Sequence, residues 1–89
     1  MRGGRRDDNH KEIVAGLRDY GATVLDLGDV GGGVPDLLVG WRGFNTLIEL
    51  KRDSKAKLSD GQVAWHAAWK GTVYKVHTLK MAISRINGR

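Results

Sequence analysis

The stretch GGGVPDLLVGWRGFNTLIELKRD, residues 31–53, decides the fold of this chain. It contains two apolar, strand-like runs joined by GWRG, whose two glycines suit a tight hairpin. Each run carries charge where the core of a small protein should have none: Asp36 begins the first, and Glu49 and Lys51 interrupt the second. Because residues two apart in a strand share a face, Glu49 and Lys51 should project from one side of the sheet.

The register of this hairpin determines how the charges meet. If Gly40 lies opposite Gly43, then Asp36 lies opposite Leu47 and diagonal to Glu49, with roughly 7–8 Å between the backbones. Two carboxylates this close repel unless a positive charge lies between them, and a divalent ion that prefers oxygen ligands meets that need. The prediction depends on the register, because a slip of one residue would turn Asp36 to the opposite face.

A structural alternative fits each of these residues taken singly. Pro35 and Asp36 can begin an edge strand, and Glu49 and Lys51 can form a solvated pair that contributes roughly a few tenths of a kcal/mol. The complete string favours the metal site instead: Gly-Val-Pro-Asp, apolar residues, a short turn, apolar residues and Glu-Leu-Lys follow one another without interruption.

Outside this stretch, two capping patterns predict helices. Asn9 followed by Glu12 has the spacing of a capping box and predicts a helix over residues 10–20. Ser59 followed by Gln62 has the same spacing and predicts a second helix through VAWHAAWK.

Alternating apolar and β-branched residues predict strands at 22–28, 34–40, 44–51 and 72–77. Thr78 is placed to cap a short last helix with an apolar stripe of Leu79, Ile83 and Ile86. The expected order is α-β-β-β-α-β-α, a mixed α+β sheet in a single domain over residues 1–89, with residues 1–8 flexible.

Length, composition and charge limit the possible functions. The 89 residues are enough for one domain with a modest core, and without cysteine the available chemistry is that of carboxylates, histidines, hydroxyls and lysines. The sequence contains neither an apolar run of about 18 residues nor a secretory signal, so an intracellular, cytoplasmic protein is expected. A net charge of +5 favours a polyanionic partner, of which nucleic acid is the commonest.

The segments GVPDLLVG and TLIELKR together resemble the PD-(D/E)xK nuclease signature, with Pro35 and Asp36 as its first half and Glu49, Leu50 and Lys51 as its second. With LSDGQVAWHAAW following the lysine, the chain is most similar to the VRR-NUC branch, in particular its stand-alone phage and bacterial members, which resemble Holliday-junction resolvases. The resemblance runs from about residue 12 to residue 76. It implies a restriction-endonuclease-like αβββαβ core with a short C-terminal helix, in agreement with the expected order of elements.

The resemblance also implies roles for the charged residues. Asp36 and Glu49 would bind Mg²⁺ or Mn²⁺, helped by the backbone carbonyl of Leu50. Lys51 would orient or deprotonate the attacking water and stabilise negative charge on the phosphate.

Two further residues match the family pattern but have competing structural roles. Gln62 would line the site as the family glutamine does, or it would only close the capping box with Ser59. Glu12 matches an acidic residue that many relatives carry on the first helix, where it would reach the metal, but a capping role is the alternative.

Other polar and aromatic residues give weaker indications of function. The spacing of His10, His66 and His77 assembles no metal site, so surface or partly buried roles are expected. The glycines at 31–33 lack the Lys-Ser/Thr of a P-loop and predict a flexible lip beside the site. Trp65 and Trp69 are spaced for one core-facing stripe, with base stacking as the alternative.

A basic run next to the signature is expected to contact the phosphate backbone, with a solvated loop as the alternative. Its members beyond Lys51 are Arg52, Lys55 and Lys57. A mobile arm could extend this contact through Arg2, Arg5 and Arg6.

The sequence therefore predicts a Mg²⁺- or Mn²⁺-dependent DNA endonuclease. The resemblance favours branched DNA such as a four-way junction as the substrate, and cutting two strands with one small site per chain favours a homodimer. The alternatives are a nucleic-acid-binding module without enzymatic activity and a metal-dependent RNase.

Overall fold

A computed structural model describes residues 8–88. The expected flexible segment, including Arg2, Arg5 and Arg6, lies outside the described residues except for Asp8. The described residues form three helices, α1 (Asp8–Tyr20), α2 (Asp60–Ala68) and α3 (Leu79–Asn87), and four strands, β1 (Thr23–Asp26), β2 (Leu37–Trp41), β3 (Phe44–Leu50) and β4 (Val73–Val76). Their order is the predicted one, and the mixed α+β fold is confirmed.

The four strands form one sheet in the order β1-β2-β3-β4. β1, β2 and β3 pair antiparallel, whereas β4 runs parallel to β3. A parallel pair needs a crossover connection, and α2 lies within that connection. The carboxyl ends of β3 and β4 therefore meet at the same edge of the sheet.

The loop of the β2–β3 hairpin lies one residue later in the sequence than predicted. Trp41 pairs with Phe44 and Gly40 with Asn45, so the predicted pairing of Gly40 with Gly43 is wrong. Arg42 (φ 51°) and Gly43 (φ 84°) form a two-residue loop in which both residues have positive φ. Such loops match the right-handed twist of the strands they join, which favours the loop at Arg42 and Gly43 over the predicted one at Trp41 and Arg42.

One face of the sheet forms the core with α1 and α3. Its buried side chains come from alternate positions of the strands and from one stripe on each helix. They include Leu37, Val39, Ile48, Leu50 and Val76 from the strands, Ile13 and Leu17 from α1, and Ala82 and Ile86 from α3.

The opposite face carries a row of apolar side chains across all four strands. The row consists of Leu25, Leu38, Leu47 and Val73, which are neighbours in register. Leu25 is 57% exposed. A groove of about 450 Å³ separates this face from α2, and its lining includes Leu38, Leu47, Trp65 and Trp69.

The prediction that Trp65 and Trp69 lie in the core is wrong. Within the described chain α2 has no buried residue, and Trp69 is 47% exposed. The two indole rings stack on each other with centroids 4.7 Å apart. The helical spacing correctly placed the two tryptophans on one side of α2. It also assumed that this side packs against the sheet, whereas a groove separates α2 from the sheet.

Two of the three predicted caps are confirmed. Ser59 and Gln62 form the capping box of α2, and the Thr78 side chain accepts from the Met81 backbone to begin α3. Asn9 is not a cap, because α1 begins at Asp8. Among residues 8–88, no helix combines the length and apolar character needed to cross a membrane.

Candidate active site

The two predicted acidic residues face each other where β2 begins and β3 ends. Continuing the observed β2–β3 register by one step places Asp36 directly opposite Glu49, two residues from the predicted partner and on the same face. The Leu27 backbone N–H donates to the Asp36 carbonyl at 2.7 Å, and the Leu50 N–H donates to Asp36 Oδ2 at 2.8 Å. The carboxylate of Asp36 is therefore held against the end of β3.

Glu49 is almost completely buried, with 1% of its surface exposed. Burial raises its pKa from 4.5 to about 8, with further raising by the adjacent Asp36 carboxylate, while Lys51 opposes the shift. A carboxyl group in this position holds its proton at neutral pH unless additional positive charge stabilises the ionised form.

Gln62 connects the acidic pair to the predicted catalytic lysine. Its Oε1 accepts from Lys51 Nζ at 2.8 Å, and its Nε2 donates to Glu49 Oε2 at 3.0 Å. The same Oε1 also accepts from the Ser59 backbone N–H at 2.9 Å. Gln62 thus has both of the roles that the sequence left open, helix cap and site residue.

The backbone of Lys51 is fixed from two sides. Its N–H donates to the Val76 carbonyl of β4 at 2.9 Å. Its carbonyl accepts from Asn9 Nδ2 at 2.7 Å, and the same amide group donates to the His77 carbonyl at 3.1 Å. Asn9 therefore joins α1 to the segments that follow β3 and β4. The capping interpretation missed this role because it treated Asn9 only as a local signal.

His66 is partly buried, as expected, and lies against Glu49, a contact that the sequence analysis did not predict. Its Nε2 lies 3.5 Å from Glu49 Oε1, and within residues 8–88 both atoms are buried without a hydrogen-bond partner. Burial, followed by the charge of Lys51, lowers the pKa of His66 and favours the neutral imidazole. The available signal was its position four residues after Gln62, which places both side chains on one face of α2.

The glycine-rich segment before Pro35 lies against the first turn of α2. Gly31, Gly32 and Gly33 all have positive φ. A side chain at Gly33 would overlap the carbonyl of Gly61, so glycine is needed there for conformation and for space. The predicted lip is thus packed against α2 at Gly33, while Gly31 and Gly32 have open space around them.

The basic run lies on an exposed loop after β3. Arg52, Lys55 and Lys57 are all exposed. Asp53 organises the loop, because its Oδ1 accepts from the Lys55 and Ala56 N–H groups at 2.9 Å. Lys75, which the sequence analysis did not single out, pairs in register with Glu49, and its Nζ donates to the Ala56 carbonyl at 3.3 Å.

The remaining candidates lie apart from this group. Glu12 is exposed on α1, and within residues 8–88 no hydrogen bond or ion pair joins it to the acidic pair. His10 is buried and its Nε2 lies 3.0 Å from Asp26 Oδ2. The structure therefore brings together Asp36, Glu49, Lys51 and Gln62, adds His66, and leaves Glu12 outside.

The residues at this position fit a divalent cation. Glu49 Oε1 is a buried carboxylate oxygen without a hydrogen-bond partner in the described chain, and a second carboxylate lies beside it. A cation there would satisfy the oxygen and relieve the repulsion. Among residues 8–88, no group of three or more His, Cys, Asp or Glu side chains is placed so that it could hold a metal ion, so these side chains alone do not complete the site. The remaining ligands would include the Leu50 carbonyl, water and substrate oxygens.

Together, the mixed sheet and the acidic pair with its neighbouring lysine and glutamine define a restriction-endonuclease-like domain. A solved structure described as a VRR_NUC domain is similar to this chain, with 28% sequence identity and a TM-score of 0.69 over 86% of this chain and 88% of that one. The chain has the VRR-NUC fold, and the similarity supports a nuclease domain in general. No family model and no curated protein matches the sequence.

Proposed function

We propose that this protein is a metal-dependent endodeoxyribonuclease that hydrolyses phosphodiester bonds in the cytoplasm. One observation carries the proposal: Asp36 and Glu49 lie side by side at the ends of β2 and β3, and Gln62 links Glu49 to Lys51. In a chain whose fold is similar to that of a VRR_NUC domain, two adjacent carboxylates and a positioned lysine support metal-dependent phosphodiester hydrolysis.

In this mechanism Asp36, Glu49 and the Leu50 carbonyl would hold Mg²⁺ or Mn²⁺, which when bound would supply Lewis-acid activation of the attacking water and charge stabilisation at the scissile phosphate. Lys51, held by Gln62, orients or deprotonates the attacking water and stabilises negative charge on the phosphate oxygens. Gln62 fixes the distance between Lys51 and Glu49, because one amide group contacts both side chains.

The exposed basic loop after β3 supplies contacts to the DNA backbone. Arg52, Lys55 and Lys57 adjoin the acidic pair and are available to phosphates on either side of the cleaved bond. These contacts are independent of base sequence and weaken as the salt concentration rises. They suit selection by DNA shape, and branched duplexes such as four-way junctions are the proposed substrate.

We further propose that the active form is a homodimer joined through the open face of the sheet and α2. The row of Leu25, Leu38, Leu47 and Val73 is uncharged, whereas the chain as a whole carries a net charge of +5. Electrostatic repulsion between two basic copies is weakest when they contact each other through an uncharged surface, because their charged groups then stay apart. A symmetric pair also supplies two active sites, one for each strand of a branched duplex.

The test is cleavage of a labelled four-way junction by the purified chain with Mg²⁺, with Mn²⁺ and with EDTA. Asp36→Ala and Glu49→Ala should each reduce cleavage by at least about 100-fold while junction binding is retained. Lys11→Ala is the control, since it removes an exposed positive charge on α1 that belongs neither to the acidic pair nor to the basic loop. Full activity of Asp36→Ala, or full activity in EDTA, would contradict the metal assignment.

The same assay distinguishes the alternatives. Binding without scission under either ion would identify a nucleic-acid-binding module. Faster cleavage of a structured RNA than of any DNA would identify an RNase.

A further inference from the structure

Two buried polar atoms, one on Glu49 and one on His66, have no hydrogen-bond partner in the described chain. The contacts among Asp36, Glu49 and Lys51 do not account for them. Glu49 Oε1 and His66 Nε2 lie 3.5 Å apart, each without a hydrogen bond within residues 8–88. Buried polar atoms that lack a hydrogen-bond partner destabilise the folded protein. We propose that His66 Nε2 is a ligand of the divalent cation bound by Glu49, so that the site is a mixed imidazole and carboxylate site.

The distance between the two atoms suits a shared ion. At 3.5 Å they are too far apart for a good hydrogen bond. Two ligands that each lie about 2.1 Å from one ion are separated by about 3.0–3.6 Å when they subtend about 90–120°. The observed separation falls within this range and needs no movement of the backbone.

The neighbouring contacts leave these two atoms as the available pair. Glu49 Oε2 already accepts from Gln62 Nε2, so Oε1 is the oxygen that remains for an ion. His66 follows Gln62 by four residues on α2, and the capping box at Ser59 fixes the start of that helix. The single helix α2 therefore places two side chains against Glu49: Gln62, which donates to Oε2, and His66, which faces Oε1.

An imidazole ligand changes which cation the site prefers. Mg²⁺ prefers oxygen ligands, whereas imidazole nitrogen suits transition-metal ions, which bind mixed nitrogen and oxygen sites more tightly. The protein should therefore bind Mn²⁺ more tightly than Mg²⁺. Replacing His66 by asparagine should reduce Mn²⁺ affinity by at least about tenfold and Mg²⁺ affinity by less.

The direct test is electron spin-echo spectroscopy of Mn²⁺ bound to the untagged full chain, which detects nitrogen coordinated to the ion. The wild-type protein should show the modulation of a directly bound imidazole, and labelling histidine with ¹⁵N should change it. His66→Asn should abolish the modulation while Mn²⁺ still binds. His77→Asn is the matched control and should leave it unchanged.

This inference rests on the proposed function only in requiring a divalent ion at Glu49, and the two fail differently. Mn²⁺ that binds and supports cleavage without nitrogen modulation would overturn the role of His66 and leave the nuclease proposal intact. Absence of Mn²⁺ binding and of cleavage would overturn both. If His66→Asn does not fold, a chain carrying His10→Asn and His77→Asn has His66 as its single imidazole and must retain the modulation.

Discussion

The two oxygens of Glu49 have different surroundings, and this difference organises the site. Oε2 accepts from Gln62, whereas Oε1 faces His66 without a hydrogen bond in the described chain. The carboxyl group is buried beside Asp36, so in the absence of a cation it is most stable when protonated. Binding a divalent ion and releasing this proton are therefore linked events.

This linkage predicts how the metal-free protein responds to pH. The folded pKa of Glu49 is about 8, above the ordinary 4.5, so the stability contributed by the protonated form is complete below about pH 4.5 and is lost as pH rises through 8. Thermal unfolding in EDTA should show a stability that falls by up to about 1.4 kcal/mol per pH unit over this window.

The variant Glu49→Gln should remove most of this slope, because an amide cannot ionise. Adding Mn²⁺ at pH 8 should raise the melting temperature of the wild-type protein and leave that of the variant nearly unchanged. A wild-type slope that the substitution does not alter would contradict the assignment of the raised pKa to Glu49.

At the scale of single elements, α2 combines a structural cap with a catalytic link, and a pair of variants separates these roles. Ser59→Ala removes the hydroxyl that accepts from the Gln62 N–H but leaves the Gln62 side chain in place. It should reduce stability by about 1 kcal/mol and change the cleavage rate by no more than a few-fold.

Gln62→Ala should reduce stability by a similar amount and also reduce cleavage by about 10–100-fold, because Lys51 and Glu49 lose their common partner. Urea unfolding and single-turnover cleavage of the two variants provide the comparison. Equal losses of activity in both would show that Gln62 acts only through the helix cap.

The elements that the sequence predicted well are those whose signals are local. The capping box at Ser59, the β-branched runs and the glycine-containing turn depend on residues within a few positions of each other, and they predicted the order of helices and strands, whereas the capping pattern at Asn9 predicted a helix but not its first residue. The hairpin register was wrong by two residues because the two-residue loop was placed at Trp41 and Arg42, one position before its observed place at Arg42 and Gly43. Since side chains alternate with period two, the error kept Asp36 on the correct face.

What the sequence missed depends on contacts between distant residues. Asn9 donates to the carbonyl of Lys51, which is 42 positions away, and no local pattern encodes that contact. His66 is partly buried, within the expected range, but its place beside Glu49 was missed because the histidines were compared with one another and not with Gln62. The exposure of Trp65 and Trp69 could not be predicted, because helical spacing identifies an apolar stripe but not what covers it.

The contacts of Asn9 lead to a further prediction at the level of elements. Asn9→Ala removes hydrogen bonds to the carbonyls of Lys51 and His77 and leaves both acceptors without this partner. The free energy of unfolding should fall by about 1–3 kcal/mol, as measured by urea denaturation. Lys11→Ala, at an exposed position of α1, should change it by less than about 0.5 kcal/mol. Equal effects would mean that the loss arises from helix propensity alone.

At the scale of the whole molecule, the apolar row and α2 predict a specific pattern of self-association. Leu25 and Trp69 are 57% and 47% exposed, so a charged residue at either position should be tolerated by the monomer but not by a dimer that covers this face. Sedimentation analysis should give about twice the 9.8 kDa chain mass for the wild type and the chain mass for Leu25→Glu and Trp69→Glu. Val30→Glu, at a position that is 63% exposed in the glycine-rich segment, is the matched control and should remain dimeric.

Because each chain keeps its own acidic pair, the monomeric variants should still nick a junction but should lose paired incisions. A monomeric wild type, or dimers that survive both substitutions, would show that a different surface or no surface joins the copies.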